Sequence, residues 1–442
     1  MNPQQFASLI LASCASQSVG QVAEDLFPVS LQFELNSPAA PSTVNFECAA
    51  SHPGYPGLIF GVRSLPTPAL SEVYVWRWQG GTEFSDAAVF DAGSVSRSIA
   101  VADFVGDPTD DFFPDIVATN SAGDDITFLF NDVVNGTTSP SPWPTGSGTA
   151  PRTVRAADID NDGDLDVIWV NQGDNSVNGI DTLLNDGSGA FTPVVNAEPA
   201  GNNPYGLVVE DFDGDGNLDA AMTNYLSGDV SVLLGNGDGT FQPETRYNIG
   251  PAPIPPPGAS SSPLEVASGI VAADFDNDGA LDLAATCWIS GTNSVLLGNG
   301  DGTFQPQLLS TGLNAAAWVA AGDLDLDGNT DMVIALSTPG EVSVCFGLGN
   351  GTFQPPQFLS AFSGTPTYAG VAPWYVEVSD VNSDGALDII VTDTGAFGVS
   401  SKVYVLLNSG PACNAADIAV PFGVLDLSDQ TKFVNEYAAG CP

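Results

Sequence analysis

A nine-residue acidic pattern, DIDNDGDLD at Asp158 to Asp166, returns four more times down the chain, and that repetition most constrains the fold. The other copies are DFDGDGNLD (Asp211 to Asp219), DFDNDGALD (Asp274 to Asp282), DLDLDGNTD (Asp323 to Asp331) and DVNSDGALD (Asp380 to Asp388). A motif recurring at intervals of roughly 50 to 60 residues marks a repeat architecture, in which each unit buries its faces only against its neighbours. A length of 442 residues would allow two or three domains, but a repeat fold can hold such a chain as one body.

Within each copy, carboxylates stand at the first, third, fifth and ninth positions. They are Asp158, Asp160, Asp162 and Asp166 in the first copy, and Asp211, Asp213, Asp215 and Asp219 in the second. The third has Asp274, Asp276, Asp278 and Asp282, and the fourth Asp323, Asp325, Asp327 and Asp331. In the fifth, Asp380, Asp384 and Asp388 are joined by Asn382 at the third position. Calcium takes six to eight oxygens at about 2.3 to 2.6 Å, so carboxylates must converge and a residue without Cβ must let the chain turn between them. Gly163 supplies that turn, and the seventh position offers a backbone carbonyl: Asp164, Asn217, Ala280, Asn329 or Ala386. About five structural calcium sites are expected. An EF-hand would continue to a Glu at position twelve between two helices. Instead, strand-like apolar runs follow: LDVIWV, LDAAMTNY, LDLAATCW, DMVIALS and LDIIVTD.

The 53 acidic residues against 8 basic ones leave a formal charge of −45, which repels nucleic acid and anionic membrane surfaces. Bound divalent cations would neutralise part of that charge, so the metal-free chain is expected to be destabilised by self-repulsion. A disordered acidic chain is excluded by 43% hydrophobic and only 14% charged residues. None of the six cysteines forms a CxxC pair, which leaves a zinc or redox motif unsupported. Cys413 and Cys441 bracket the C-terminal tail and are the best disulfide candidates; Cys48, Cys287 and Cys345 lie in apolar strands as buried thiols.

Residues 1 to 20 read as a signal-like targeting segment, apolar over Phe6 to Ala12 but without a preceding Lys or Arg. Leu11-Ala12-Ser13-Cys14 also resembles a lipobox, which would lipidate Cys14. No later run approaches the roughly 18 to 20 apolar residues of a membrane span. The expectation is a monomeric chain secreted or held at the cell surface.

From residues 26 to 410 the repeating unit is an apolar strand, the acidic loop, a second strand, a third strand with a GNGDGTF-like turn, and a fourth strand. Such units stack radially as blades of an all-β propeller. Five blades carry full loops. A sixth, DFVGDPTDDFFPD, is longer than nine residues and has Val105 where the second carboxylate belongs, with Asp103, Asp107 and Asp115 still candidates to bind metal. A seventh precedes it, with SHPGYPG in place of the acidic loop. The last blade, ending at VYVLLNSG, lacks a fourth strand, whereas LFPVSLQFEL (Leu26 to Leu35) is left over at the other end and is expected to complete it.

The loops, with their flanking Phe and Gly pattern, resemble the FG-GAP or VCBS repeats of integrin α-chain heads and many secreted bacterial proteins. The resemblance implies a seven-bladed β-propeller with calcium in hairpin loops on one face and adhesion or ligand binding commonly on the other. The tail from 411 to 442, CNAADIAVPFGVLDLSDQTKFVNEYAAGCP after its first two residues, resembles one repeat of GC-type dockerin-like tails. Phe433, Val434 and Tyr437 suit a short helix there. Counting back from Gly423, however, Ile418, Val420 and Phe422 supply no carboxylate, so a surface-retention or sorting tag is the reading.

The main functional expectation is a calcium-binding propeller acting as a binding or adhesion module, for an extracellular protein or a carbohydrate. The alternative is a polysaccharide lyase on the same scaffold, which would need Arg152, Arg155 or Arg246 gathered with His52 or a Tyr on one face. His52 is the only histidine, which rules out a triad drawing on a second imidazole. The GNGDG turns at Gly235 and Gly298 read as hairpins and not as phosphate cradles. Trp76, Trp78, Trp143, Trp288, Trp318 and Trp374 could pack blades or line a carbohydrate surface. Two Pro- and Ser-rich stretches, Ser139 to Pro151 and Pro251 to Pro263, read as loops between blades.

Overall fold

The computed structural model describes residues 32–35, 45–50, 58–64, 71–80, 83–84, 88–105, 114–130, 140–173, 179–194, 201–250, 266–311, 313, 315–338, 340–359, 372–394 and 402–408. The segment 1–20 with Cys14, the tail 411–442 with its cysteines, His52, Asp107 and the 251–263 insertion lie outside the described residues.

Seven antiparallel sheets follow one another along the chain. The first contains β2 (Asn45–Ala50), β3 (Leu58–Ser64) and β4 (Ser71–Gly80), with both β5 (Glu83–Phe84) and β6 (Ala88–Gly93) pairing with β4. The second runs β7 (Ser96–Ala102), β8 (Asp115–Asn120), β9 (Asp125–Leu129), β10 (Ser141–Pro144). The third is β11 (Pro151–Ala157), β12 (Asp166–Asn171), β13 (Gly179–Asn185), β14 (Phe191–Pro193). The fourth is β15 (Pro204–Glu210), β16 (Asp219–Asn224), β17 (Asp229–Leu233), β18 (Thr245–Asn248). The fifth is β19 (Ala267–Ala273), β20 (Asp282–Cys287), β21 (Thr292–Leu296), β22 (Leu308–Thr311). The sixth is β23 (Ala316–Gly322), β24 (Asp331–Leu336), β25 (Glu341–Cys345), β26 (Gln357–Leu359). The last comprises β27 (Pro373–Ser379), β28 (Asp388–Asp393), β29 (Lys402–Leu406) and, as its outer strand, β1 (Gln32–Leu35). The first strand of each sheet lies against that of the next, and β2 meets both β7 and β27, so the seven blades form a closed ring.

The strand after each acidic loop is buried along its whole length, as in VIWV of β12 and LAAT of β20. Neighbouring blades cover both faces of these strands, which is why they read as continuous apolar runs without alternation. The outer strands are short and largely exposed, a common way to blunt a sheet edge. Part of the Ser139–Pro151 stretch, expected to be a loop, is such a strand: β10, S-P-W-P, pairs with β9. Proline is tolerated at an edge because no further strand needs its missing donor.

Blades interlock through the aromatic at the second loop position. Phe212 meets Phe304 of the next blade edge-on at 5.6 Å, and Phe275 meets Phe353 in the same way. Beside these rings the backbone carbonyl of Phe212 accepts from Gly302 N–H at 3.1 Å, and that of Phe275 from Gly351 N–H at 2.9 Å. In the degenerate blade Val105 takes a packing role, bridging to Ser188 of the following blade. Cys287 and Cys345 are buried thiols, and burial pushes Cys345 up to about 11.

The closing strand pairs antiparallel with β29, from Gln32 opposite Leu406 to Leu35 opposite Val403. Deleting residues 26–35 is expected to lower the melting temperature and speed proteolysis of the last blade; unchanged melting would show that the ring does not depend on this strand.

Candidate metal centre

Each acidic loop joins the first strand of a blade to the second, so all five lie on one face of the ring, together with the turns between third and fourth strands. The local fold follows from the pattern. In the first copy Gly163 N–H donates to Asp158 Oδ2 at 3.1 Å, Asp162 N–H to Asp160 Oδ1 at 3.3 Å, and Asp164 N–H to Asp162 Oδ1 at 2.9 Å. These are turns in which a short carboxylate caps the backbone two to five residues ahead. Gly163 has φ 97°, where a Cβ is strained, and the fourth position is also left-handed, as at Asn161 with φ 62°. Leu326 holds that position in the fourth copy with φ 57° and is 43% exposed, an unfavourable conformation for a branched residue.

The ninth aspartate does more than the spacing implied. Asp219 Oδ2 accepts from Phe212 N–H at 2.9 Å, and its Oδ1 accepts from Gly235 N–H at 2.7 Å, so one carboxylate ties the acidic loop to the GNGDG turn. Gly235 is required by close approach, since a Cβ there would lie 2.1 Å from Leu218 O. Equivalent pairs of bonds are made by Asp166 with Ile159 and Asn185, Asp282 with Phe275 and Gly298, Asp331 with Leu324 and Gly347, and Asp388 with Val381 and Asn408. Asp115 accepts in the same way from Phe104 N–H at 3.0 Å.

Four loops bring three carboxylates together, with one oxygen from each within 4.8 Å of the others: Asp158, Asp160 and Asp166; Asp211, Asp213 and Asp219; Asp274, Asp276 and Asp282; Asp323, Asp325 and Asp331. The fifth-position residues Asp162, Asp215, Asp278 and Asp327 stand outside these triads, each using one oxygen to cap the seventh residue. In the last loop Asn382 Nδ2 donates to Asp384 Oδ2 at 2.9 Å, an internal bond that replaces one repulsion between carboxylates. No triad forms at Asp103 and Asp115 among the described residues.

Electrostatically these loops favour an added cation. Burial, aided by neighbouring carboxylates, pushes Asp166, Asp219 and Asp282 up to about 6 and Asp331 and Asp388 up to about 7, against an ordinary 3.8, although their backbone donors pull the other way. Asp325 is also pushed up to about 6, by burial and then by Asp327. Asp158 Oδ1 is buried without a hydrogen-bond partner, the condition of an oxygen suited to a metal. Hard carboxylate and carbonyl oxygens suit calcium or magnesium better than a soft metal.

The arginines named as lyase candidates do not gather. Arg152 donates to Tyr205 Oη and lies over its ring, 4.0 Å from the centroid, at the end of β11 remote from the acidic loop. Arg155 donates to Val154 O, and Arg246 pairs with buried Asp229 on the outer part of its blade. Of the tryptophans, Trp76 and Trp318 are buried, whereas Trp143, Trp288 and Trp374 are partly exposed. Trp169 is a further buried one that the sequence reading passed over.

Two measurements check the site. Carboxylates whose pKa is raised by folding favour the folded state most below about pH 4, and this contribution is lost as pH rises through 6 to 7. Metal-free protein is therefore expected to melt at lower temperature at pH 8 than at pH 5, with calcium flattening or reversing the slope; identical slopes would contradict this. Asn382→Asp is expected to tighten calcium binding at the last loop about tenfold in a calorimetric titration, through one added charged ligand.

The FG-GAP-like repeat model matches residues 109–169, 211–285, 274–334 and 323–391, together more than half of the chain. No curated protein matches. Among solved structures, a putative 6-phosphogluconolactonase from Bacteroides uniformis is 12% identical, covering 74% of this chain and 90% of its own, with a TM-score of 0.53. A functionally unknown protein from Desulfotomaculum acetoxidans is 13% identical over 71% of this chain and 85% of its own, with a TM-score of 0.50. At such identity these similarities show the propeller fold alone. The repeats, their acidic loops and the closed ring of seven blades together place this chain in the FG-GAP-like repeat family.

Proposed function

We propose that this chain is a calcium-stiffened propeller that works outside the cell, or held at its surface, as a module binding an extracellular protein or carbohydrate. The observation that carries the reading is the convergence of three carboxylates within 4.8 Å in each of four successive blades. Four copies of one arrangement suit a structural role, since a single active site would break the repeat. Asp158, Asp160, Asp162 and Asp166, with the carbonyl of Asp164, would hold one ion, and the corresponding residues of the later loops would hold the others. Calcium, when bound, supplies positive charge that offsets the repulsion among these carboxylates. The ninth aspartate passes the resulting rigidity into the blade, because its two oxygens hold both loops of that face.

Extracellular modules function with affinities of about 10⁻⁴ to 10⁻³ M, where ambient calcium is high. Among the described residues no helix is long and apolar enough to cross a membrane. The tail from 411 to 442 fits the same reading as a dockerin-like retention segment, and the partner is met by the face away from the acidic loops. The lyase alternative keeps one favourable contact, Arg152 with Tyr205, but the other named arginines lie apart from it.

The deciding experiment is a calcium titration of chelator-stripped protein by calorimetry, with melting followed in parallel. Four ions bound, a weaker fifth, and a large rise in melting temperature are expected; absence of any calcium-dependent stabilisation would overturn the proposal.

A further inference from the structure

Among the described residues, two side-chain bridges run from one acidic loop to the next. Asn161 Nδ2, at the fourth position of the third blade's loop, donates to Asn217 Oδ1, at the seventh position of the fourth blade's loop, at 3.0 Å. Asn277 Nδ2 of the fifth blade donates to Asn329 Oδ1 of the sixth in the same way, at 2.9 Å. The receiving asparagine passes the contact on. Asn217 Nδ2 donates to Asp215 Oδ2 at 3.0 Å, and Asp215 Oδ1 accepts from the Asn217 N–H at 2.8 Å; Asn329 and Asp327 repeat both bonds. The first bridge therefore joins a residue lying between Asp160 and Asp162 to a carboxylate of the following loop, and the second does so from between Asp276 and Asp278.

The turn between third and fourth strands closes over each bridge. A Cβ at Gly237 would lie 2.2 Å from Asn217 Oδ1 and 3.3 Å from Asn161 Nδ2, and one at Gly349 would lie 2.3 Å from Asn329 Oδ1 and 2.5 Å from Asn277 Nδ2. At Gly300, over a loop that receives no bridge, the nearest atom is the Ala280 Cβ at 3.6 Å.

The next two junctions lack the residues to make it. From the fourth blade to the fifth the paired positions hold Gly214 and Ala280, and from the sixth to the last they hold Leu326 and Ala386. Local geometry does not demand asparagine at either place. The fourth position is left-handed in all five loops, with φ from 57° to 71°, and Gly214, Leu326 and Ser383 adopt it as Asn161 and Asn277 do. The seventh accepts alanine with its N–H still capped, as at Ala280. What sets the two asparagine junctions apart is the contact itself.

We propose that calcium fills these loops as two cooperative pairs, the third blade with the fourth and the fifth with the sixth, and that the last loop fills alone. Asp215 and Asp327 stand outside the carboxylate triads. Turning either inward as a ligand pulls on the asparagine that it holds at two atoms, and through the bridge on the backbone of the preceding loop. A loop ordered by one ion thus leaves its neighbour less to order. The effect is reciprocal, so each member of a pair gains equally from the other. Electrostatics works the opposite way. Each occupied loop weakens the negative field that draws the next cation, which by itself makes successive ions bind less tightly. Positive coupling is therefore a signature of the bridges. Such coupling rests on the calcium reading of the loops and adds how their ions act on one another.

The test is a calcium titration of the chelator-stripped full chain by calorimetry, with melting of the metal-free protein as the control for folding. Asn161→Gly and Asn217→Ala install side chains that the second and third loops already carry at those positions, as Gly214 and Ala280. Each is expected to flatten the titration, weakening the second ion of one pair about fivefold while the first ion and the total bound stay unchanged. The double variant is expected to lose no more than either single one, because both remove one bond, whereas two separate local roles would add. Gly214→Asn combined with Ala280→Asn is expected to steepen the titration by bridging the fourth and fifth blades; a Cβ at Gly214 meets nothing within 4 Å. Additive losses in the double variant, or a titration that both single changes leave equally steep, overturn the coupling and leave the calcium sites standing. No calcium bound by the parent chain overturns both.

Discussion

One carboxylate with two backbone donors, repeated around the ring, holds the acidic face together. The ninth aspartate of each loop is almost completely buried, and its oxygens accept N–H groups from two segments that would otherwise end in unsatisfied donors. Hydrogen bonds to a charged group contribute about 1.5 to 3 kcal/mol each, so a pair per blade is a substantial local constraint. The same burial works against ionisation, which pushes Asp331 and Asp388 up to about 7 and the other three to about 6. A loop fixed by its own charge and destabilised by the charges beside it is rigid and cation-seeking at once. The interlocking phenylalanines depend on it, since the N–H taken by Asp219 belongs to Phe212 itself, whose ring packs against the next blade.

Much of this architecture was legible in the sequence because the loops are literal repeats and the apolar runs after them are long enough to be strands. The closing strand could be found by counting, since Val403 to Gly410 left one blade short and Leu26 to Leu35 had no blade of its own. Spacing could not divide the labour among carboxylates. Asp160 and Asp162 look alike on paper and each caps a backbone amide, yet only Asp160 joins a triad. Likewise Ser-Pro-Trp-Pro reads as a loop by local preference, and it becomes strand β10 only because an outer edge demands no second set of donors. Val105 looks like a lost ligand, whereas its place against Ser188 shows a position given over to contact between blades.

The closing strand also decides where the chain enters and leaves the ring. Gln32 begins that strand opposite Leu406, and Asn408, two residues on, bonds to the buried Asp388 beneath the acidic loops. The chain therefore enters and leaves the ring at neighbouring points of a single blade, both on the acidic face.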